Sequence, residues 1–280
     1  MRIVVTGSTG KLGREVVHGL TEAGHSVYGL DAVGARSETF TRIDLTNYGS
    51  VVDAFSSVDN RYDGVDAVVH LAAIPAGGFE ADSATFFNNM NSTFNVFQAA
   101  RRTGIKRIVY ASSETLLGIP FDIDPPYVPL DEDYPSRPES MYSVVKHLEE
   151  ELATKLCRWD PRLNITGLRF SNVLDETDYE NQPKWEADPA LRRWNLWGYI
   201  DTRDGALAVQ RALENGKPGF DTFIIANADT VVARPTADLV AEYFPDVKLK
   251  RPLEGNETLL SIDKARRLLK FEPQQSWRSA

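Results

Sequence analysis

The chain opens with a strand, a glycine-rich turn and a helix in immediate succession, and few folds accept that combination. Ile3-Val4-Val5 is short and wholly apolar, as expected of a parallel strand buried on both faces. Thr6-Gly7-Ser8-Thr9-Gly10-Lys11-Leu12-Gly13 follows at once, and then Val16, Val17, Leu20 and Ala23 at helical spacing. Each glycine has a use. Gly7 allows the tight turn, Gly10 lets a pyrophosphate come close to the backbone, and Gly13 lets the helix lie near the strand. The helix N-terminus then faces the phosphates. A glycine-rich turn with no ligand would look similar, but the strand–turn–helix setting favours a dinucleotide site.

The βα alternation continues. His25 to Leu30 reads as the second strand and ends at Asp31. A carboxylate here can bind both ribose hydroxyls of NAD and repel the 2′-phosphate of NADP. Arg36 lies close by and weakens that repulsion, so NAD is favoured over NADP without excluding it. Phe40 to Ile43 runs into Asp44-Leu45, Tyr48 to Phe55 reads as a short helix, and Ala67 to Leu71 is another apolar strand. It leaves into Ala72-Ala73, small residues that permit close approach by a ligand. His70 is expected to pack in the sheet. Asp82 to Thr103 is a long helix with Phe86, Met90, Thr93, Phe94, Phe97 and Ala100 as its apolar face. Asn88, Asn89, Asn91 and Asn95 are poor helix formers, so some of them are expected to make specific hydrogen bonds. Arg107 to Ala111 is the next strand, ending in Ser112-Ser113-Glu114-Thr115 at the edge where ligands bind in open α/β sheets.

Residues 119–138 hold six prolines and the run Asp131-Glu132-Asp133, expected as an irregular surface loop. Glu139 to Cys157 reads as a helix, with Leu148, Leu152 and Leu156 repeating and glutamates between them. Tyr142 and Lys146 share one face of it. An ammonium beside a phenol favours the phenolate, and such a tyrosine can exchange a proton near neutral pH. Leu163 to Phe170 is a further strand, leaving into Ser171-Asn172. Residues 175–195 are polar, with Trp185, Trp194, Arg192 and Arg193, which suits a cavity wall or lid. Asp204 is a candidate cap for a helix over 205–214. Thr222 to Ala226 is a strand, and 237–244 and 263–269 are short helices. The series predicts an α/β protein. It is a doubly wound parallel-sheet Rossmann fold (1–172) with a small C-terminal substrate-binding region (173–280) interwoven with the core.

Composition removes other classes. The 280 residues, 42% hydrophobic, suit one large or two fused domains. A net charge of −9 argues against a nucleic-acid surface. No apolar run reaches the length of a bilayer span, and Met1-Arg2 leads straight into the first strand, leaving no room for a signal peptide. The single cysteine, Cys157, forms no internal disulfide, and no Cys/His set has metal-ligand spacing. A cytoplasmic chain without metal, nucleic-acid or membrane partner is expected.

Taken in order, strand–TGxxGxxG–helix, an acid after the second strand, serines ending a later strand and Tyr142-x-x-x-Lys146 resemble the extended short-chain dehydrogenases/reductases. That group comprises sugar epimerases, dehydratases and sugar dehydrogenases, and the resemblance spans about residues 1–230. It implies that Gly7, Gly10, Lys11, Leu12 and Gly13 hold the pyrophosphate of NAD. Asp31 would hold the adenosine ribose, with Asp44 and Leu45 beside the adenine. Leu71, Ala72, Ala73 and Asn88 would line the cofactor. Ser113 would bind the substrate oxygen, Tyr142 would transfer the proton, and Lys146 would bind the nicotinamide ribose and acidify the tyrosine. The Phe170 backbone would meet the nicotinamide, and Asn172 the substrate.

Departures from the pattern narrow the reaction. Ser113-Glu114-Thr115 stands where the sugar-nucleotide dehydratases carry Thr-Asp-Glu, so their acid pair is absent. The stretch after Asn172 is short for a nucleotide-sugar epimerase, and its tryptophans look more like those of the uronate dehydrogenases, which oxidise a free sugar acid. Those enzymes place an arginine soon after this strand to clamp the carboxylate. Residues 173–183 contain no Arg or Lys. Lys184, Arg192 or Arg193 (the last taken as the substrate-binding candidate) replaces it, or the substrate has no carboxylate. The expected function is NAD-dependent oxidation of a hydroxyl on a small sugar or sugar acid, with Tyr142 as general base. The rivals are a nucleotide-sugar epimerase using bound NAD and a non-catalytic NAD-sensing protein. Apolar residues on more than one side of helices 82–103 (Phe86, Phe87, Phe97) and 139–157 (Val144, Val145, Leu148) resemble the paired helices of related enzymes, and a homodimer is expected.

Overall fold

The computed structural model describes residues 1–56 and 64–279. Its strands are β1 (Arg2–Thr6), β2 (Ser26–Asp31), β3 (Phe40–Arg42), β4 (Ala67–His70), β5 (Arg107–Ser113), β6 (Tyr127–Val128), β7 (Asn164–Phe170), β8 (Val173–Leu174), β9 (Ile200–Asp201), β10 (Gly219–Ile225) and β11 (Lys248–Leu249). Seven of them form one parallel sheet in the order β10-β7-β5-β4-β1-β2-β3. The two halves of the sheet run outward from β1 and β4, whose junction is the switch point where such folds bind ligands. Thr6 is in register with Leu30 and His70, and Ser113 with Phe170. The residues leaving these strands therefore emerge along one edge.

The helices are α1 (Lys11–Glu22), α2 (Tyr48–Phe55), α3 (Asp82–Thr103), α4 (Met141–Trp159), α5 (Gln182–Ala187), α6 (Thr202–Asn215) and α7 (Thr236–Tyr243). α1 and α6 cover one face of the sheet, burying Val16, Leu20, Val209 and Leu213 against Ile3, Val5 and Phe223. α2, α3 and α4 cover the other, where Phe55, Phe97 and Leu156 meet Val4, Val68 and Ile108. With both faces covered, the central strands can be apolar without alternation. α3 stops at Gly104, which takes the left-handed conformation (φ 85°) and donates its N–H to the Ala100 carbonyl. α4 starts at a reciprocal cap between Ser140 and Ser143.

A third core joins Leu117, Phe121, Val128 and Leu130 to Trp197, Val231, Leu239, Phe244 and Leu260. The proline-rich segment expected on the surface is thus partly core, because its apolar residues face the C-terminal region instead of water. β10 and α6, which follow residue 172, belong to the main sheet and its cover, so the two regions interlock. The expected faces of two helices also change. In α3, Asn89 and Asn95 are buried while Phe87 and Phe94 point outward. Asn95 donates to the carbonyls of Leu45 and Thr46, each at 2.9 Å, and so ties α3 to the loop after β3. In α4, Glu149 and Glu150 are buried and Leu148 is outward. The glutamates are inside because cations meet them there: Arg169 makes two hydrogen bonds to Glu150, at 2.9 and 2.7 Å. The cap of α6 is Asp201, which accepts from Arg203 N–H; Asp204 instead accepts the N–H groups of Gln274 and Gln275.

Candidate active site

The strand ends open onto a cavity of about 1010 Å³, which runs from Asp31 to Trp194. At one end lies the glycine turn. Gly7 has φ +70°, and a side chain there would meet the Ala72 backbone at 2.6 Å. A side chain on Gly13 would meet the Gly7 carbonyl at 2.0 Å, so neither position accepts any other residue without a shift. The first α1 hydrogen bond is from Arg14 N–H to the Gly10 carbonyl, at 3.0 Å. Gly10 has no side chain to cap the N–H groups ahead of it, and those groups are what a pyrophosphate needs. Lys11 lines the same end, but its ammonium is turned to Asp178 and Asp175 across the cavity mouth.

Asp31 Oδ2 accepts from the Thr9 N–H at 3.0 Å and the Thr9 hydroxyl at 2.8 Å. Oδ1 has only a long contact, 3.4 Å, with Val33 N–H. One carboxylate oxygen thus fixes the glycine turn and the other is left for ribose hydroxyls. Asp44, Leu45, Leu71, Ala72, Ala73 and Asn88 line the cavity. Residues, conformation and volume here fit NAD. The cations lining the cavity among the described residues are Lys11 and Lys146, which pair with Asp178 and Glu149.

Ser113, at the end of β5, and Tyr142 and Lys146, one turn apart on α4, are all buried and all line the cavity. Lys146 Nζ lies 5.7 Å from the Tyr142 ring centre. It donates to the Ala111 carbonyl at 2.8 Å and to Glu149 Oε2 at 2.9 Å. Ser113 Oγ accepts from the Thr115 N–H at 3.2 Å and hydroxyl at 3.0 Å. Burial raises the Tyr142 phenol above its ordinary value; Lys146 and the Ser113 hydroxyl pull it down, while Glu149 and Glu114 push it up. Lys146 acts in the expected direction, but burial outweighs it, and the net shift is upward. His70 packs in the sheet, as expected, and burial holds it neutral down to about pH 3.

At the other end, Phe170, Ser171, Asn172 and Trp194 form the wall. Asn172 Oδ1 accepts from Arg192 Nη1 at 2.7 Å, which leaves the Asn172 amide N–H2 as the group the cavity can use. Arg192 is buried between the rings of Trp185 and Trp194, at 4.8 and 5.3 Å, and also donates to the Gly198 carbonyl. Arg193, the expected clamp, points away: it pairs with Asp124 at 2.8 Å and lies over Phe244. Lys184 is exposed and donates to Asn181 at 3.3 Å. None of the three lines the cavity.

Two groups that the sequence did not single out belong here. Glu114 is buried in the wall, where its carboxyl accepts from Ser171 Oγ at 2.6 Å and Asn195 Nδ2 at 3.3 Å. Burial pushes it up to about 7. Asn89 makes a two-way contact with the Ile74 backbone, accepting at 2.8 Å and donating at 3.0 Å, and so fixes the loop beside Ala73. The surplus of asparagines in α3 was its only sign. Among the described residues no group of His, Cys, Asp and Glu could hold a metal ion, and no helix is long and apolar enough to cross a membrane.

Residues 3–223 match the family described as NAD dependent epimerase/dehydratase. The chain belongs to this family. UDP-glucose 4-epimerase of Bacillus subtilis is 28% identical over 183 residues, 61% of this chain and 52% of that protein. The chain spans about half the length of the curated relatives it matches. UDP-N-acetylglucosamine 4-epimerase from Bacillus cereus superposes with a TM-score of 0.73 at 23% identity, covering 100% of this chain and 96% of that one. A mutated uronate dehydrogenase superposes with a TM-score of 0.68 at 20% identity, covering 99% and 83%. At these identities the superpositions show the fold that the epimerase/dehydratase family shares.

Proposed function

We propose that this family member is an NAD-dependent oxidoreductase that oxidises a hydroxyl of a small, uncharged sugar or polyol. One observation carries the reading: the substrate end of the cavity offers Ser113, Tyr142 and the Asn172 amide but, among the described residues, no free cation. A uronate carboxylate or a nucleotide diphosphate would want a charged partner there, and the Glu114 carboxyl would repel either once ionised. NAD, preferred over NADP because of Asp31, would be held by the glycine turn, Asp31 and Lys146, and supplies the hydride acceptor. Ser113 and the Asn172 amide orient the substrate oxygens. Tyr142 takes the hydroxyl proton, with the Lys146 ammonium beside its ring. Asn172, at the end of the first region, and Trp194, from the region after it, line this end and set specificity.

The family's UDP-sugar epimerases favour a second reading, in which bound NAD is reduced and reoxidised within one turnover. A screen of neutral sugars, polyols, uronates and UDP-sugars, following NADH absorbance, separates the two. Neutral substrates should give net NADH; a response confined to uronates would overturn the uncharged-substrate reading. We also propose a homodimer through the outer faces of α3 and α4, where Phe87 and Phe94 are 62% and 46% exposed and Leu148 is 37% exposed. Phe97 and Val145, expected at that surface, are in the core. Light scattering at micromolar concentration should give twice the chain mass, and a monomer would refute the pairing.

A further inference from the structure

Glu149 is fully buried and touches neither end of the cavity, yet four hydrogen bonds run toward it. Thr93 Oγ1 donates to Glu149 Oε1 at 2.7 Å, and Lys146 Nζ to Oε2 at 2.9 Å. Having given its proton to Glu149, the Thr93 hydroxyl accepts from His70 Nε2 at 3.0 Å. His70 Nδ1 must then accept from the Thr6 hydroxyl, at 2.7 Å. From β1 through β4 and α3 to α4, every proton points at one carboxyl group. Both its oxygens accept, the arrangement of a carboxylate; burial raises the group above its ordinary value, and Lys146 and the Thr93 hydroxyl pull it down. Among the described residues it is the carboxyl group in direct contact with Lys146.

We propose that Glu149 is a positioning residue, the counter-ion that governs how much of the Lys146 charge reaches the Tyr142 oxygen. This rests on Tyr142 being the proton-transfer residue. The groups that face this centre are few. Tyr142 has Lys146 and Glu149 on its own helix, Ser113 from β5 and Glu114 beyond it. Lys146 has Glu149, Tyr142 and Glu150, the Ala111 carbonyl and His70 from β4. Glu150 is taken up by Arg169, His70 is neutral, and Asp221 of β10 is paired with Lys264. Glu149 is therefore the group whose removal changes the net charge behind Tyr142. With it, Lys146 and Glu149 act on the phenol as a near-neutral pair; without it, they act as a full positive charge.

The test is a titration of Tyr142 itself, free of any assumption about substrate. Protein with 13Cζ-labelled tyrosine is followed by NMR from pH 7 to 12, and the Tyr142 resonance is assigned by its loss in Tyr142→Phe. Glu149→Gln removes the charge and keeps one accepting oxygen for Lys146, and its amide N–H2 meets Thr93 once that hydroxyl turns to accept. It should make Tyr142 more acidic by tenfold or more, the effect of one charge at this range. An unchanged midpoint in a folded Glu149→Gln protein overturns the proposal. Should that variant not fold, the pair can be removed together, since buried ion pairs are often replaced by apolar residues at little cost. In Lys146→Met/Glu149→Met the midpoint should stay within about threefold of wild type, and in Lys146→Met alone it should rise. A double variant that titrates like Lys146→Met refutes the near-neutral pair. Once a substrate is in hand, the alkaline limb of turnover should shift to lower pH in Glu149→Gln. If the NMR midpoint moves while no alcohol is oxidised, the counter-ion role stands and the dehydrogenase reading falls.

Discussion

Replacing Asp31 should change both how tightly the cofactor binds and which one is preferred. The carboxylate divides its work: Oδ2 holds the N–H and hydroxyl of Thr9, and Oδ1 is left for the ribose. Each hydrogen bond to a charged group is worth roughly 1.5–3 kcal/mol. Losing one ribose contact in Asp31→Ala should therefore weaken NAD by about tenfold or more. The discrimination has a different source. Two unit charges 4 Å apart interact by about 4 kcal/mol at an effective dielectric constant near 20. Half of that, allowing for water at this partly exposed site, is about 2 kcal/mol, or a preference for NAD of about thirtyfold. Asp31→Asn separates the effects. It keeps an oxygen for Thr9 and loses the charge, so it should lose discrimination while retaining more NAD affinity than Asp31→Ala. Calorimetric titration of the three proteins with NAD and NADP reads both quantities. Tighter binding of NADP by the wild type, or an unchanged ratio in Asp31→Ala, would refute the reasoning and point to Arg36.

Other variants probe the remaining contacts. Arg192→Met removes the donor that orients Asn172, and should raise KM about tenfold while NAD affinity stays within twofold; equal losses in both would show general damage to the site. Glu114 is raised to about 7, so between about pH 4.5 and 7 the folded chain keeps a proton that the unfolded chain has released. Stability should therefore fall as pH rises through that window, by up to about 3 kcal/mol. Glu114→Gln should flatten the dependence in urea unfolding at pH 5 and pH 8. Lys146→Ala should lose turnover and NAD affinity together, and should cost about 3–5 kcal/mol of stability because Glu149 is left buried without its partner.

The order of strands and helices was legible because each central strand is an apolar run that empties into glycine, alanine, serine or an acid. Those exits line one sheet edge, and the family resemblance is what assigned Asp31, Ala72, Ser113 and Asn172 to one site there. Charge misled where burial decided. Glu149 and Glu150 read only as glutamates between the leucines of α4, since nothing in sequence announces that Lys146 and Arg169 will meet them inside. Arg192 and Arg193 are adjacent, and composition cannot say which turns inward; packing between Trp185 and Trp194 selects Arg192. The segment 119–138 looked like loop because its prolines outweigh its scattered apolar residues, whose partners, such as Trp197, Leu239 and Leu260, come far later in the chain.

The central claim is that Tyr142 removes a proton as this protein oxidises an uncharged hydroxylated substrate. Its most direct test is NADH formation by wild type and Tyr142→Phe on the best substrate of the screen. The substitution keeps the ring and its packing and removes only the oxygen. The expected result is net NADH from the wild type and a loss of about 10²–10⁴-fold in turnover for the variant, with NAD affinity little changed. A Tyr142→Phe protein that keeps more than about a tenth of wild-type turnover, far outside the loss expected of a general base, would contradict the assignment. So would a wild type that interconverts UDP-sugars and never releases NADH.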